Sequence, residues 1–339
     1  MQQPITSIKT RGYRKRRVAE AILAWHSAKP TTRSNPNPVR VVCISDTHNK
    51  QPVLPPGDIL IHAGDLTENR SFDDIQAGIT WLSSQPHRFK IFVAGNHDVL
   101  LDEAFLQKYP ERRYGQSKTK ADLNWGNVIY LEDSHITLDV PIQPVRQQQQ
   151  SSLTPATRKI TVFGSPWTPQ YGISAFQYPP AVGADHWRDR LAKTKQAEVD
   201  DSDSTIVVTH GPPKLRLDRR DFHRAGCPYL LAELRRRYRR RRPPVLHVFG
   251  HIHAAYGCED VVLNDAVRQA HDDVLIGWGG WGRAASMPFL VLWARVKGML
   301  GGLFGRNEEK GKGLTTFVNA SVVGGRKNEL MNEPVVVEI

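Results

Sequence analysis

Five short segments carry side chains able to hold a metal cation: Asp46-Thr-His48, Gly64-Asp65, Gly95-Asn96-His97-Asp98, Thr209-His210-Gly211 and Gly250-His251-Ile-His253. Their donors are imidazole nitrogens, carboxylate oxygens and an amide carbonyl. Such a mixture suits divalent Mn, Fe or Zn at a reactive centre, whereas a thiolate-rich set would point to structural zinc or an iron–sulfur cluster. Two cations roughly 3.5–4 Å apart can share a bridging carboxylate, hold a water as hydroxide near neutral pH, and clamp both oxygens of an in-line displacement at phosphorus. Phosphoester hydrolysis is the reaction this chemistry serves.

Each segment directly follows an apolar run rich in β-branched residues, at 39–44, 59–62, 89–93, 205–208 and 245–249. Stopped by a Gly or a polar residue, each run predicts a buried strand. Open α/β sheets bind ligands beyond the carboxyl ends of their strands, so donors far apart in sequence can meet along one edge. Singly, each block has a plainer explanation: a helix N-cap at Asp46, a turn at 95–98, two surface histidines at 251 and 253. Taken together, in order and each after a strand, they favour one shared site. The histidines outside these blocks, among them His62, His87, His135, His186, His223, His247 and His271, are expected to be packing or surface residues.

The ordered set D-x-H, G-D, G-N-H-D, a lone His and G-H-x-H resembles the calcineurin-like metallophosphoesterase superfamily. Segments 164–169, 317–321 and 334–339 further resemble the metallophosphoesterase-domain proteins of animal brain and their fungal relatives, whose studied members look like weak cyclic-nucleotide phosphodiesterases. The resemblance spans 39–339, less three insertions. It implies an α/β fold, a four-layer α/β/β/α sandwich of two facing mixed sheets flanked by helices. It also implies a first metal on Asp46, His48, Asp65 and His253, and a second on Asp65, Asn96, His210 and His251, with Asp65 bridging. By the same resemblance a bridging hydroxide attacks phosphorus, His97 protonates the leaving oxygen as general acid, and Asp98 orients His97 or fixes its tautomer. Some relatives replace the first His of the last motif with Gly; this chain keeps His251. The implied substrate is a phosphorylated small molecule or nucleotide. A phosphodiesterase is the leading expectation, with a phosphomonoesterase or protein Ser/Thr phosphatase as the alternative.

The chain has 339 residues, 40% of them hydrophobic, ample for a sizeable core. Because the candidate ligands run from Asp46 to His253, no cut between them leaves a complete site, which favours one domain over 38–339. Cys43, Cys227 and Cys258 form neither a disulfide framework nor a C-x-x-C pair. No apolar stretch reaches the length of a membrane span, and the first residues lack the apolar core of a secretory signal. The chain therefore reads as intracellular, with the cytoplasm as the expected compartment. Its net charge of +12 would steer anionic substrates without selecting among them.

That positive charge is concentrated. Residues 1–37 form a basic extension containing Lys9, Arg11, Arg14, Lys15, Arg16 and Arg17, with a short helix predicted at 18–25; bracketing prolines favour a tethered arm over a mitochondrial presequence. Insertions are expected near 144–157, a glutamine-rich polar loop, and 193–204, a helix end followed by an acidic loop. A helix predicted at 229–238 ends in an arginine run at 235–242, either a solvated helix terminus or an anion-binding patch for nucleic acid, lipid or acidic protein.

A third insertion, 288–312, includes a stretch at 288–306 that, wound as a helix, gathers Phe289, Leu292, Trp293, Val296, Met299, Leu300, Leu303 and Phe304 on one side. Ala294, Gly298, Gly301 and Gly302 fall opposite, and Arg295 and Lys297 flank the apolar side. That pattern fits an interfacial helix on an anionic membrane surface, a face packed on the domain, or a lid over the site. A noncatalytic module binding membranes or nucleic acid through these basic segments is the rival from another functional class.

Overall fold

In the computed structural model, residues 6–26, 37–68, 71–113, 115–142, 157–192, 204–221, 223–238, 243–303 and 313–339 are described. One sheet holds β1 (Arg40–Ile44), β2 (Ile59–Ala63), β3 (Phe89–Val93) and β4 (Val128–Tyr130), all parallel. The distant β17 (Val335–Glu338) closes it antiparallel, giving the order β17-β1-β2-β3-β4. A second sheet contains β5 (Ser134–Pro141), β6 (Thr157–Ser165), β9 (Ser204–Thr209), β12 (Leu246–Phe249), β13 (Gly257–Val262) and β14 (Leu314–Asn319), in the order β13-β14-β12-β9-β6-β5. Its four central strands are parallel and its two edges antiparallel. Three two-strand ribbons, β7 (Thr168–Pro169) with β8 (Gln177–Tyr178), β10 (Arg219–Arg220) with β11 (His223–Arg224), and β15 (Val323–Gly324) with β16 (Glu329–Leu330), lie outside the two sheets.

The strands are apolar on both faces because both faces are covered, the condition under which parallel strands read as continuous hydrophobic runs. Val41 and Cys43 of β1 turn toward the second sheet and share a core with Ile160, Val162, Ile206, Val208 and Val248. The alternate residues Val42 and Ile44 turn outward onto α2 (Phe72–Ser84) and its neighbour α3 (Glu103–Lys108). In α2, Phe72, Ile75, Ile79 and Leu82 recur at helical spacing and are buried, while the Ser71 hydroxyl caps the helix by accepting from the Asp74 amide at 3.0 Å. On the far side, Phe163, Val207 and Phe249 of the second sheet pack against Trp187 and Leu191 of α4 (Gly183–Ala192) and Leu230, Leu231 and Leu234 of α5 (Pro228–Tyr238). The result is the expected four-layer α/β/β/α sandwich.

A third group of helices departs from expectation. The basic extension is not a tethered arm with a short helix: α1 (Thr6–His26) is a 21-residue helix. It buries Ala19 against Val267, Ala270 and Val274 of α6 (Ala266–Ile276) and Ala284, Met287 and Val291 of α7 (Trp281–Leu303). Prolines at 4 and 30 bracket it but none interrupts it, and packing supplies the stability that a short periodic signal understated. His26 reaches Asp265, the N-cap of α6, at 3.0 Å. The helix predicted from 288 starts earlier, at Trp281, with Pro288 inside it, and it packs on α1 and α6 rather than forming a lid.

Part of the arginine run also has a structural task. Arg235 is buried and, with Arg216, pairs with the Asp272 carboxylate of α6, while Arg236 pairs with Glu233 at 2.6 Å. Arg235 is therefore no part of an anion-binding patch, because its charge is already neutralised inside the protein. Arg239–Arg242, the glutamine-rich stretch and most of 193–204 lie outside the described residues.

His186 lies stacked on Tyr178, with ring centroids 3.8 Å apart, and its burial, reinforced by the Arg190 charge, lowers its pKa to about 3 from an ordinary 6.5. A histidine kept neutral when folded contributes fully above its unfolded pKa, and that contribution is lost as pH falls from 6.5 toward 3. His186→Phe, which keeps a stacked ring and removes the titrating group, should flatten the acid loss of stability over that window. Thermal unfolding measured against pH checks this; parallel curves for the two proteins would contradict it.

Candidate metal centre

The two sheets meet at the carboxyl ends of β1, β2, β3, β9 and β12, where the five candidate loops converge. Backbone bonds lock the loops together: the Asp46 amide donates to the Gly64 carbonyl at 2.8 Å, the His48 amide to the Asp65 carbonyl at 3.1 Å, and the Gly250 amide to the His210 carbonyl at 3.0 Å. A bridge between Ser45 and Ser321 ties β1 to the segment after β14. Asp46, His48, Asp65 and His251 all have positive φ, at 53°, 45°, 54° and 69°. Non-glycine residues held there cost about 1–3 kcal/mol each and persist only where their surroundings fix them, a pattern that concentrates at functional sites.

All seven candidate ligands come together. Asp46, His48 and His253 form one group and Asp65, His210 and His251 another, the potential donor atoms within each lying within 4.8 Å of one another. In the first, His253 Nε2 is 3.2 Å from Asp46 Oδ1 and 3.4 Å from His48 Nε2. In the second, His210 Nε2 is 3.4 Å from Asp65 Oδ2 and 3.0 Å from Asn96 Oδ1. Asp65 lies between them, its Oδ2 also 3.9 Å from His48 Nε2. The ring of His97 sits edge-on to that of His48, centroids 4.8 Å apart.

The residues present fit a pair of cations. His210 Nδ1 donates to the Ala63 carbonyl at 2.9 Å, which orients the ring and leaves Nε2 facing the centre, where it would bind a cation once deprotonated. Burial opposes charge on Asp65, but the positive charge and hydrogen bond of His210 outweigh it and hold the carboxyl well below its ordinary range. Burial likewise opposes charge on His210, yet Asp65 outweighs it and raises the imidazole to about 9. The pocket is thus negative enough to trap a proton on a buried imidazole. The glycines complete the fit, since a methyl group on Gly250 would overlap the Asp46 carboxylate and Ser45, and one on Gly95 would overlap Asp65.

Asp98 differs from expectation. Its buried carboxylate accepts from the amides of Gly95 at 2.8 Å, Thr67 at 3.0 Å and Leu66 at 3.3 Å, and from the Thr67 hydroxyl. His97 Nδ1 has no hydrogen-bond partner among the described residues. Asp98 therefore pins the Asn96 loop to the Asp65 loop, and the His97 ring is left without a carboxylate behind it. His97 is joined to the centre through its own amide, which donates to Asp65 Oδ1 at 2.7 Å.

The calcineurin-like phosphoesterase family matches residues 39–255 of this sequence, a span containing all seven candidate ligands. The chain belongs to this family. The phosphoesterase is 36% identical over 322 residues to the probable rhamnogalacturonate lyase C of Emericella nidulans, covering 95% of this chain but 26% of that protein. It is 33% identical over 246 residues to human metallophosphoesterase domain-containing protein 1, covering 67% of this chain and 65% of that protein. The chain thus spans about a quarter of the first relative and under two thirds of the second. Among solved structures, the phosphopantetheinyl hydrolase of Mycobacterium tuberculosis aligns over 65% of this chain and 84% of its own, at 17% identity and a TM-score of 0.37, too distant a likeness to carry an argument. Members of this family normally hold a dinuclear metal centre.

Several supporting residues were missed from the sequence. His62 and His247, read there as packing or surface residues, are buried inside β2 and β12 and contact the Thr47 and Thr209 hydroxyls at 2.9 and 3.0 Å. Each threonine adjoins candidate ligands, so these histidines brace the loops from beneath. Their signal was a histidine interrupting an apolar strand two or three residues before the glycine that opens a ligand block. The Ser321 hydroxyl lies 2.7 Å from Asp46 Oδ2 and 2.8 Å from Asn319 Oδ1, with one proton to share between the two acceptors, while Asn319 donates to the Ile252 carbonyl at 3.0 Å. Ser321→Ala should lower metal affinity by roughly 10–100-fold with the fold intact. Gly250→Ala should lose metal more completely because the new methyl displaces Asp46 itself. Metal titration of both variants beside the parent checks the order; unaltered affinity in either would contradict it.

Proposed function

We propose that this phosphoesterase is a phosphodiesterase, with cyclic nucleotides as a candidate substrate class, using a centre held by Asp46, His48, Asp65 and His253 on one side and Asp65, Asn96, His210 and His251 on the other. The observation that carries this reading is the position of Asp65 between the two donor groups. Bound there, two divalent ions, with Mn, Fe or Zn matching the donor set, would supply Lewis acidity toward phosphoryl oxygens and acidify water to a nucleophile.

The chain's own residues divide the remaining work. The centre opens into a cleft of about 1310 Å³, and His97 lines it beside His48. From that position His97 donates a proton to the departing oxygen, the step that a diester with a poor leaving group needs most. Asp46 and Asp65 would hold the cations, and Asp98 keeps the two central loops in register. Among the described residues lining the cleft, Arg220 and Arg326 are the cationic side chains, and both are exposed at its rim. The exposed ring of Tyr171, 5.3 Å from that of His251, offers a flat surface to a planar leaving group such as a base.

Hydrolysis of bis-p-nitrophenyl phosphate should exceed that of p-nitrophenyl phosphate with Mn present and cease on chelation; a preference for the monoester would shift the assignment to a phosphomonoesterase or protein Ser/Thr phosphatase. His97→Ala should lower kcat by about 10²–10⁴-fold while retaining metal. Asp65→Asn should lose metal and activity together. Equal metal content and activity in the two variants would contradict these roles.

A further inference from the structure

Helix α7 has two apolar faces, and only one is used. Ala284, Met287 and Val291 are buried against α1 and α6. Trp281, Phe289, Leu292, Trp293, Val296 and Met299 fall on the opposite side, within about 120° of arc at 3.6 residues per turn. All six are exposed, Phe289 at 68% and Met299 at 71%. From Leu292 to Met299 every residue is exposed, so this part of the helix stands clear of the body as a ridge.

The charge around the ridge is of one sign. Arg295 and Lys297 border it on its two sides, and α7 contains no acidic residue. The Arg295 guanidinium lies 3.9 Å over the ring of Trp25, itself 62% exposed at the end of α1. That neighbouring helix adds exposed Arg14, Arg16 and Arg17 with Glu20 as its one acid.

We propose that this face is a peripheral docking surface for anionic lipid. Apolar and aromatic side chains on one side of a helix, with cations along both borders, match an acyl layer under negative headgroups. Exposed tryptophans suit the boundary between them, where one edge of the ring is dry and the other wet. A second copy of the chain fits less well, since pairing two such ridges would bring their arginines and lysines together. A convex ridge enters a soft layer without needing a preformed groove. Among the described residues no helix is long and apolar enough to cross a membrane, so α7 lies along the surface. The proposal is independent of which phosphoester the centre cleaves.

Flotation of the whole chain with vesicles of phosphatidylcholine alone, or mixed with phosphatidylserine, tests it. Binding should require phosphatidylserine and weaken with added salt. The combined variant L292S/W293S/M299S should lower the bound fraction by about tenfold or more. R295E/K297E, which leaves the apolar ridge in place, should also lose binding, and both should keep their helical circular dichroism and diester hydrolysis. Absence of flotation by the parent chain, or equal flotation by parent and both variants, overturns the proposal. So does a parent dimer, seen by light scattering, that the serine variant converts to monomer while neither floats.

Discussion

Two carboxylates, Asp46 and Asp65, are buried within a few ångströms of several imidazoles, and the rest of the site follows from what such burial costs. A carboxylate taken out of water must be paired and hydrogen-bonded or it will neutralise itself. Here hydrogen bonds meet part of that need: the His251 amide lies 3.0 Å from both Asp46 oxygens, the Ser321 hydroxyl faces Oδ2, and the His97 amide donates to Asp65. Of the imidazoles, His210 and His253 are drawn toward the charged form by the carboxylates against the cost of burial, whereas burial keeps His48 and His251 neutral. Divalent cations do the same task with neutral imidazoles as ligands, which ties metal binding to proton release.

The sandwich exists to hold that arrangement. Parallel strands from both sheets deliver their following loops to one edge, and the apolar layer between the sheets fixes their spacing. The loops then take conformations their residues would not choose alone, with four of seven candidate ligands at positive φ. Cross-bracing by backbone bonds, by Asp98 and by the His62 and His247 pairs with threonine keeps them there. Local strain is thus offset by a rigid scaffold that fixes the donor geometry.

The strands and the ligand blocks were legible because both faces of each strand are buried and the block residues have few other uses in that order. The supporting residues were harder to see. Ser321 follows Asp46 by most of the chain, and nothing local distinguishes it from any serine after a strand. His62 and His247 looked like packing residues because a lone histidine in an apolar run usually is one. The family resemblance implies that Asp98 serves His97, whereas its carboxylate turns back to amides of the neighbouring loop, a tertiary contact that spacing does not encode. The helical layer of α1, α6 and α7 was legible only in part, through the apolar stretch from 288, because its stability lies in contacts among three distant segments.

The central claim is that Asp65 joins two cation sites built from the seven gathered donors. Bound metal per chain, measured by plasma mass spectrometry after reconstitution with Mn and removal of excess, tests it most directly. The account predicts two equivalents on the folded protein. One equivalent or none, with the fold and all seven residues intact, would contradict it.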